Sequence, residues 1–540
     1  MPRGTSLAGA RGVIVALTVL VLAGFGLRLA GASAIGFAED EINKLNAVHS
    51  YERGDISPNA EHPMVMKSLM FISIKAQQVW NARFASPADE SQPLGISDET
   101  ALRFPNILFG ALTAIPLFLL TAAFFDRPTG LLASALWAFG INAITYNRIA
   151  KEDTLLVFFM LFAFYFYVRA KQVSWREEKS KRRNYVLSGA SFGLMLASKY
   201  FPHYFGLNML YHHYFRVRER GPGEPSGRRT PWYFYLIVGV VFLVANPAVL
   251  LPQTWGYLNA YTSEQLLTHT GYLMGDHLYK NTMSSTPFRG TPVYFYALFL
   301  LIKVPLPVLA AFLAGLVECA RKWRKPGHAF LLMMFLLWIV PYSLMGAKWL
   351  RYTLSLMPFV YMIAAVGVVA LVRRVATLFK RANAERALRF AGAVALTVFV
   401  AWPAWTAYAS GPHYATYTNA LGGGRVGYFF PHDEFYDDGL REAIEFVAKT
   451  APQGAVIVHE TPGVVGYYLE KFGRPDLDSR VLSAKDFNLS ETRKPAFIIV
   501  QRGRTYFENQ EKMKQAREQL EKVYEVAVEG TVAAEVYVAR

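Results

Sequence analysis

Long apolar runs limit what this chain can become. Gly12–Leu27 is almost unbroken hydrocarbon, and a membrane-spanning helix needs about 20 mostly apolar residues. Similar runs lie near residues 12–34, 101–125, 128–146, 153–170, 185–200, 202–215, 231–251, 291–317, 327–346, 353–372 and 390–410. Lys199-Tyr-Phe-Pro202 interrupts the stretch 185–215, which reads as one bent helix or two short ones. The expected fold class is mainly α: a polytopic membrane protein with about eleven transmembrane helices over residues 1–410, followed by a soluble α/β domain. Composition agrees. The chain is 53% hydrophobic and 18% charged, against roughly 25% charged in soluble domains. Its 15% aromatic content suits rings at headgroup depth.

The net charge of +16 would suggest nucleic acid in a soluble protein, but loop topology absorbs it. With the N-terminus cytoplasmic, the cytoplasmic loops include 169–183, 216–229, 321–325 and 373–389, all strongly basic. The opposite side receives 35–100, 147–152, 252–290, 347–352 and everything after about 411. This implies a multi-pass plasma (inner) membrane protein with an extracytoplasmic C-terminal domain. Arg3, Arg11 and "GASA" imitate a cleavable signal; an uncleaved first helix is preferred, and both readings give the same downstream orientation. The single cysteine, Cys319, excludes a disulfide framework within the chain.

After a glycine-rich linker at 411–424, residues 425–540 change character. "DDGLREAIEFVAKT" has helical periodicity with Asp437 or Asp438 as a plausible cap. "GAVIVHE" and "KPAFIIVQ" read as short buried strands, and "NQEKMKQAREQLEKVYE" as a charge-laced helix.

Chemistry-bearing residues gather at helix ends on the outer side. The first outer loop holds "AEDEINKLNAVHSYERGD" and "PNAEHPMVMKSLMFIS". Ile42, Leu45, Val48 and His49 share one helical face, which predicts an interfacial helix along the membrane surface, and a second such helix starts at Pro63. "TYNRIAKEDTLLVFF" places Arg148, Lys151, Glu152 and Asp153 at the same depth, with Asp153 opening a helix. "SKYFPHY", "HTGYLMGDHLYK" and "GAKWLRY" add cations beside aromatics. Taken singly, Lys199 and Lys348 are snorkelling lysines; the convergence of several loops favours a site. A held carboxylate can take a proton from an incoming nucleophile, and fixed cations can stabilise a phosphate leaving group.

"EDE…SYERGD…EHPMVMK", "NRIAKED", "GTPVYFYALFLLIKVPLP" and "KWLRYTLSLMPF" resemble the GT-C membrane glycosyltransferases over about residues 10–410. The closest branch holds the protein O-mannosyltransferases and lipid A aminoarabinose transferases, of glycosyltransferase family 39 type. The resemblance implies a polyprenyl-phosphate sugar donor, an acceptor that is a protein hydroxyl, lipid A or another envelope glycan, transfer with inversion, and chemistry on the extracytoplasmic face. It makes Asp40 the catalytic base with Glu41 beside it, and sets His62 and Lys67 near the donor phosphate or acceptor. Met64 stands where the family has a second proline. Arg148 and Asp153 match an Arg…Asp element, and Lys348 and Arg351 a basic pair facing the donor phosphate. Lys199 joins Arg148 and Lys348 in holding that phosphate, and Lys303 matches a lysine within a helix.

No cofactor is implied. A divalent metal stays compatible with the loops holding His269, Asp276 and His277, or His432, Asp433 and Glu434, although neither has a recognised ligand spacing. "WWDYG", the signature of the oligosaccharyltransferase branch, is absent, which argues against en bloc glycan transfer to asparagine. The rival readings are a transporter or flippase for a lipid-linked envelope precursor, which would carry charges in mid-helix, and an assembly factor without chemistry, in which Asp40 and Asp153 would tolerate Asn.

Overall fold

A computed structural model describes residues 7–85, 94–174, 177–200, 230–263, 269–283, 290–377, 381–492 and 495–540. Helix α1 (Leu7–Leu29) turns apolar side chains such as Ile14 and Val19 outward. Helix α2 (Glu39–Glu52) and helix α3 (Met64–Phe84) follow in the first loop region. Helices α4 (Asp98–Leu112) and α5 (Ala114–Phe124) join into one span. Helices α6 (Arg127–Ala138) and α7 (Ile141–Asn147) are bent by 56° at their junction. Helices α8 (Asp153–Gln172) and α9 (Glu178–Ser198) pack side by side. Helix α8 is about 30 Å long at 1.5 Å per residue, so Asp153 and Lys171 mark opposite ends of the membrane layer.

Among the described residues, six helices are long and apolar enough to cross a membrane, or seven if the bent pair α6–α7 is one span. The expected eleven are therefore not all continuous spans. The segment 231–251 shortens to the helix Trp232–Ala245, which stops before Pro247. The segment 291–317 divides at Pro305 into Phe295–Lys303 and Leu306–Arg321. Proline lacks the amide that would continue a helix and pushes its predecessor out of helical geometry. The candidate 185–200 lies in α9, whose first turns hold Lys179, Lys181, Arg182 and Arg183. The candidate 202–215 and the basic loop 216–229 lie outside the described residues.

Two devices hold the helical layer. Arg28, buried on α1, donates to the carbonyls of Gly24, Ala138 and Trp137 and to Asn147 Oδ1 at 2.9–3.1 Å, tying α1 to the α6–α7 bend. Gly315 and Gly367 bring the helices Leu306–Arg321 and Met357–Thr377 into backbone contact, where an added Cβ at Gly315 would overlap the Ile363 carbonyl.

A ribbon of strands β1 (Gly271–Met274) and β2 (His277–Lys280) turns at Gly275, φ +62. The C-terminal sheet holds β3 (Val456–His459), β4 (Asp478–Val481), β5 (Ala496–Gln501), β6 (Glu521–Val528) and β7 (Thr531–Ala539), in the order β4-β3-β5-β7-β6. The β3 pairs are parallel and the β7 pairs antiparallel. Ile457, Ile499 and Val536 pack on the helices Leu440–Thr450 and Pro462–Lys471; Val458, Ile498 and Val500 pack on Gln510–Gln519. The charge-laced segment is thus a helix only to Gln519; from Glu521 it continues as β6. Neither Asp437 nor Asp438 caps the helix at Leu440, whose N-cap is Gly439 at φ +84.

The apolar face of helix α2 is covered by protein and not by lipid. Ile42, Leu45 and Val48 share a core with Val464, Val465 and Tyr468 of the C-terminal unit, and His49 is exposed. The docking is also polar. Tyr468 accepts from Phe37 N at 2.8 Å and donates to Glu99 at 2.9 Å. Arg504 holds Asp437 through two hydrogen bonds, at 2.8 and 2.5 Å, and reaches Glu39 at 2.7 Å.

Substituting Gly315→Ala is expected to destabilise the protein by about 1–3 kcal/mol through overpacking, read as a lower unfolding temperature in detergent. Arg504→Leu leaves the buried Asp437 carboxylate without its cation, a loss of about 3–5 kcal/mol. Limited proteolysis should then cleave near 431–439 faster than in the wild type.

Candidate active site

Three acids open helix α2: Glu39, Asp40 and Glu41. Acids in a first turn favour the helix dipole, and successive helical residues point about 100° apart. The three carboxylates therefore face three different partners. Glu39 meets Arg504 of the C-terminal unit. Glu41, buried, accepts from Ala38 N at 3.0 Å, Ala150 N at 2.9 Å and Arg103 at 2.8 and 2.6 Å. Asp40 faces a cavity of about 540 Å³.

Asp40 Oδ2 receives Lys151 Nζ, the Tyr436 hydroxyl and, at 3.4 Å, Arg351 Nη1. Among the described residues Asp40 Oδ1 makes no hydrogen bond, and it is not a buried atom left without a partner, so it is open to the cavity. Lys151 stands in the five-residue link between α7 and α8, where its carbonyl accepts from Asn106 Nδ2 at 2.6 Å. Arg351 lies on the short helix Leu350–Ser355, with its guanidinium 5.1 Å from the Trp349 ring centre.

A second ionic cluster lies buried beneath the floor, which Asn59 and His62 line. Glu152 pairs with Lys44 at 2.6 Å and lies 3.7 Å from His62 Nδ1. Lys44 also donates to Asn59 Oδ1 at 2.6 Å, and Lys67 donates to the Asn59 carbonyl at 2.6 Å. His62 lines the cavity, while Lys67 is buried behind it and supports the 58–59 turn.

Electrostatics fix the resting charges. Burial raises the Asp40 carboxyl, but Lys151, Arg351 and the hydrogen bonds to Lys151 and Tyr436 outweigh it and hold the group well below the usual carboxylate range. Burial, with Arg351 beside it, lowers Lys151 to about 8. Burial pushes His62 well below its ordinary value and His432 to about 3, so both rings are neutral at pH 7. One carboxylate thus faces two cations, leaving a positive surplus beside an open oxygen.

The far wall comes from the C-terminal half: His432, Tyr436, Arg504 and Tyr506 line the cavity, and Tyr506 stacks on His269 with ring centres 4.0 Å apart. Tyr436 has φ +51 and ψ −101, a conformation that costs a bulky residue about 1–3 kcal/mol. Its neighbour Asp437 is held by Arg504 and by Gln501 Nε2 at 3.2 Å.

Several expected members stand elsewhere. Glu41 is saturated by structural hydrogen bonds. Arg148 donates to the carbonyls of Ala30 and Gly31 at 2.7 and 2.6 Å, below the Tyr414 ring, in a separate pocket of about 70 Å³. Asp153 pairs with Lys199 at 2.5 Å, and Lys199 lies 5.2 Å from the Tyr352 ring centre. Lys348 is fully buried, with Nζ on the carbonyls of Thr291 and Met345 at 2.8 and 2.5 Å. Lys303 pairs with Glu434 at 2.8 Å. These cations satisfy carbonyls or acids at helix ends instead of facing the cavity; Asp40, His62 and Arg351 are the expected residues that line it. Among the described residues no three His, Cys, Asp or Glu side chains gather as a metal site. Asp433 turns to Tyr272, Asp276 to Tyr428 and Glu434 to Lys303.

Residues 93–252 match the family model described as dolichyl-phosphate-mannose-protein mannosyltransferase, a segment that includes Lys151 and Glu152. A comparison with curated protein sequences finds no match. Among solved structures, the chain is similar to ArnT from Cupriavidus metallidurans in the apo state, at 14% identity over 98% of both chains with a TM-score of 0.51. The same ArnT bound to undecaprenyl phosphate gives 14% identity, 98% of both chains and 0.50. The oligosaccharyltransferase AglB from Archaeoglobus fulgidus, in complex with an inhibitory peptide and a dolichol-phosphate, is similar at 11% identity over 98% of this chain and 74% of that chain, with a TM-score of 0.51. By its architecture and its family match, the chain is a multi-pass membrane protein of the GT-C fold, similar to glycosyltransferase family 39.

Proposed function

We propose that the protein is an inverting glycosyltransferase that moves a sugar from a polyprenyl-phosphate donor to an acceptor nucleophile at the extracytoplasmic membrane surface. One observation carries the reading: an aspartate with one oxygen pinned among cations and the other open to a cavity beside the helix ends. The family description and the two neighbours solved with undecaprenyl phosphate and dolichol-phosphate support a lipid-phosphate donor. The lipid tail then lies along the helical layer and the phosphate reaches Lys151 and Arg351.

In the reaction, Asp40 Oδ1 takes the proton of the acceptor hydroxyl or amine. The acceptor atom bonds to the anomeric carbon as the carbon–oxygen bond to phosphate breaks, and the polyprenyl phosphate leaves as an anion held by Lys151 and Arg351. Drawing these cations toward phosphate loosens their hold on Asp40, which raises its basicity when the donor is in place. His62 and Lys67 shape the floor, and Glu41 orients the helix that presents Asp40. Arg148, Lys199, Lys348 and Asp153 act at one remove, by fixing the loops around the phosphate. Acceptors compatible with one carboxylate base include protein hydroxyls, lipid A and other envelope glycans.

The test is release of labelled sugar from polyprenyl-phosphate sugars in membrane vesicles. Asp40→Asn is expected to lower transfer about 10²–10⁴-fold while the protein still purifies folded; wild-type transfer by this variant would sink the assignment. Arg351→Met should lower kcat/KM for the donor about 10²–10³-fold. Lys151 carries its charge below about 8 and loses it above, so donor turnover should fall on the alkaline side near that pH. Lys151→Arg should move that limb upward.

A further inference from the structure

The C-terminal unit reaches the reacting carboxylate directly. Residue 436 follows a single-turn helix, Pro431–Phe435, and is locked there by its backbone. Its amide donates to the His432 carbonyl at 2.9 Å, and its own carbonyl lies against Gly503, where a side chain would crowd it. The Arg504 guanidinium covers the Tyr436 ring at 5.5 Å while holding Asp437 on the next residue. A left-handed conformation at a bulky residue persists where surrounding contacts over-determine it. Here those contacts aim a phenol at Asp40 Oδ2.

We propose that Tyr436 is a positioning residue for the transfer: its hydroxyl pins Asp40 Oδ2 so that Oδ1 is the oxygen presented to the acceptor, and through it the soluble domain completes the active site. The proposal rests on Asp40 being the base. No atom of Tyr436 enters the bonding changes. The acceptor proton goes to Oδ1, and the phenol keeps its own proton and its bond to Oδ2 throughout. Lys151 and Arg351 are drawn toward the donor phosphate by their charge during the reaction, whereas the phenol of Tyr436 is neutral and is not drawn in that way. It is the donor that stays on Oδ2 when the cations shift.

The groups that face Asp40 come from every side. Lys151 belongs to the α7–α8 link, Arg351 to the turn at 350–355, and Glu39 to the same helix turn. The C-terminal side adds Arg504, Asp437 and Asp433 around Tyr436, and the floor adds Glu152, Lys44 and His62. Tyr436→Phe removes one hydrogen bond and no charge, so it isolates the phenol from this field. Losing a donor to the anion favours the protonated carboxyl, and the Asp40 midpoint must move up.

The experiment is an infrared titration of the full-length protein in lipid nanodiscs, with the Asp40 band assigned by its loss in Asp40→Asn. Tyr436→Phe should raise the midpoint by about 0.5–1 pH unit. The acid limb of sugar release from labelled polyprenyl-phosphate sugars should follow, with turnover reduced about tenfold or more and donor KM little changed. Incorporation of 3-fluorotyrosine at 436, a stronger donor of the same shape, should move the midpoint down. A merely structural role would lower the unfolding temperature and leave both midpoint and limb in place, which overturns the proposal. If the midpoint moves but Asp40→Asn transfers normally, the contact stands and the base assignment fails. If Asp40→Asn is inactive and the midpoint does not move, the base stands and Tyr436 has no positioning role.

Discussion

Three adjacent carboxylates at one helix start cannot share a cation, and the architecture around the site follows from how they are separated. Helical geometry sends Glu39, Asp40 and Glu41 in three directions. Glu41 is anchored by Arg103 of the membrane layer, and Glu39 by Arg504 of the C-terminal unit. Between these two fixed points Asp40 has little freedom, and it meets Lys151, Arg351 and Tyr436 from three further elements. The two flanking pairs are what bring membrane layer, helix α2 and soluble unit to a common junction.

That junction has a definite electrical character. Asp40 is an anion at rest because two cations and two hydrogen bonds overcome the cost of burying it. A group so strongly stabilised is a weak base until its partners are drawn elsewhere. An anionic leaving group bound to the same cations would do this, coupling donor binding to activation of the base. The neighbouring pair Glu152–Lys44 is closed on itself at 2.6 Å, with His62 neutral beside it, and adds no net charge to the floor.

Much of this was legible in the sequence, for reasons that differ by element. Long apolar helices show in composition alone, and six of the expected spans are present among the described residues. The β3 and β5 strands show as short apolar runs because both their faces are covered. The clusters "EDE" and "NRIAKED" marked the right loops. Which member of each cluster faces the cavity was not legible. A cation near a helix end can point to a cavity or satisfy orphan carbonyls. Arg148 and Lys348 do the second and Arg351 the first, while Lys151 is buried behind the cavity wall, on Asp40. Tyr436 and Arg504 had no local signal, because they reach the cavity only through docking of residues nearly 400 positions or more from α2, and His432 stood out only as a candidate metal ligand. Prolines and the α6–α7 bend, which shorten or break several spans, are hydropathically silent.

The central claim is spatial: one cavity receives a lipid phosphate beside Asp40. A cryo-electron microscopy map of the protein with undecaprenyl phosphate in nanodiscs tests it most directly. The account predicts phosphate density in contact with Lys151 and Arg351, with the prenyl chain running away along the helical layer. Phosphate density seated at the opposite membrane face, or on Arg148 with the Asp40 cavity unchanged, would contradict it.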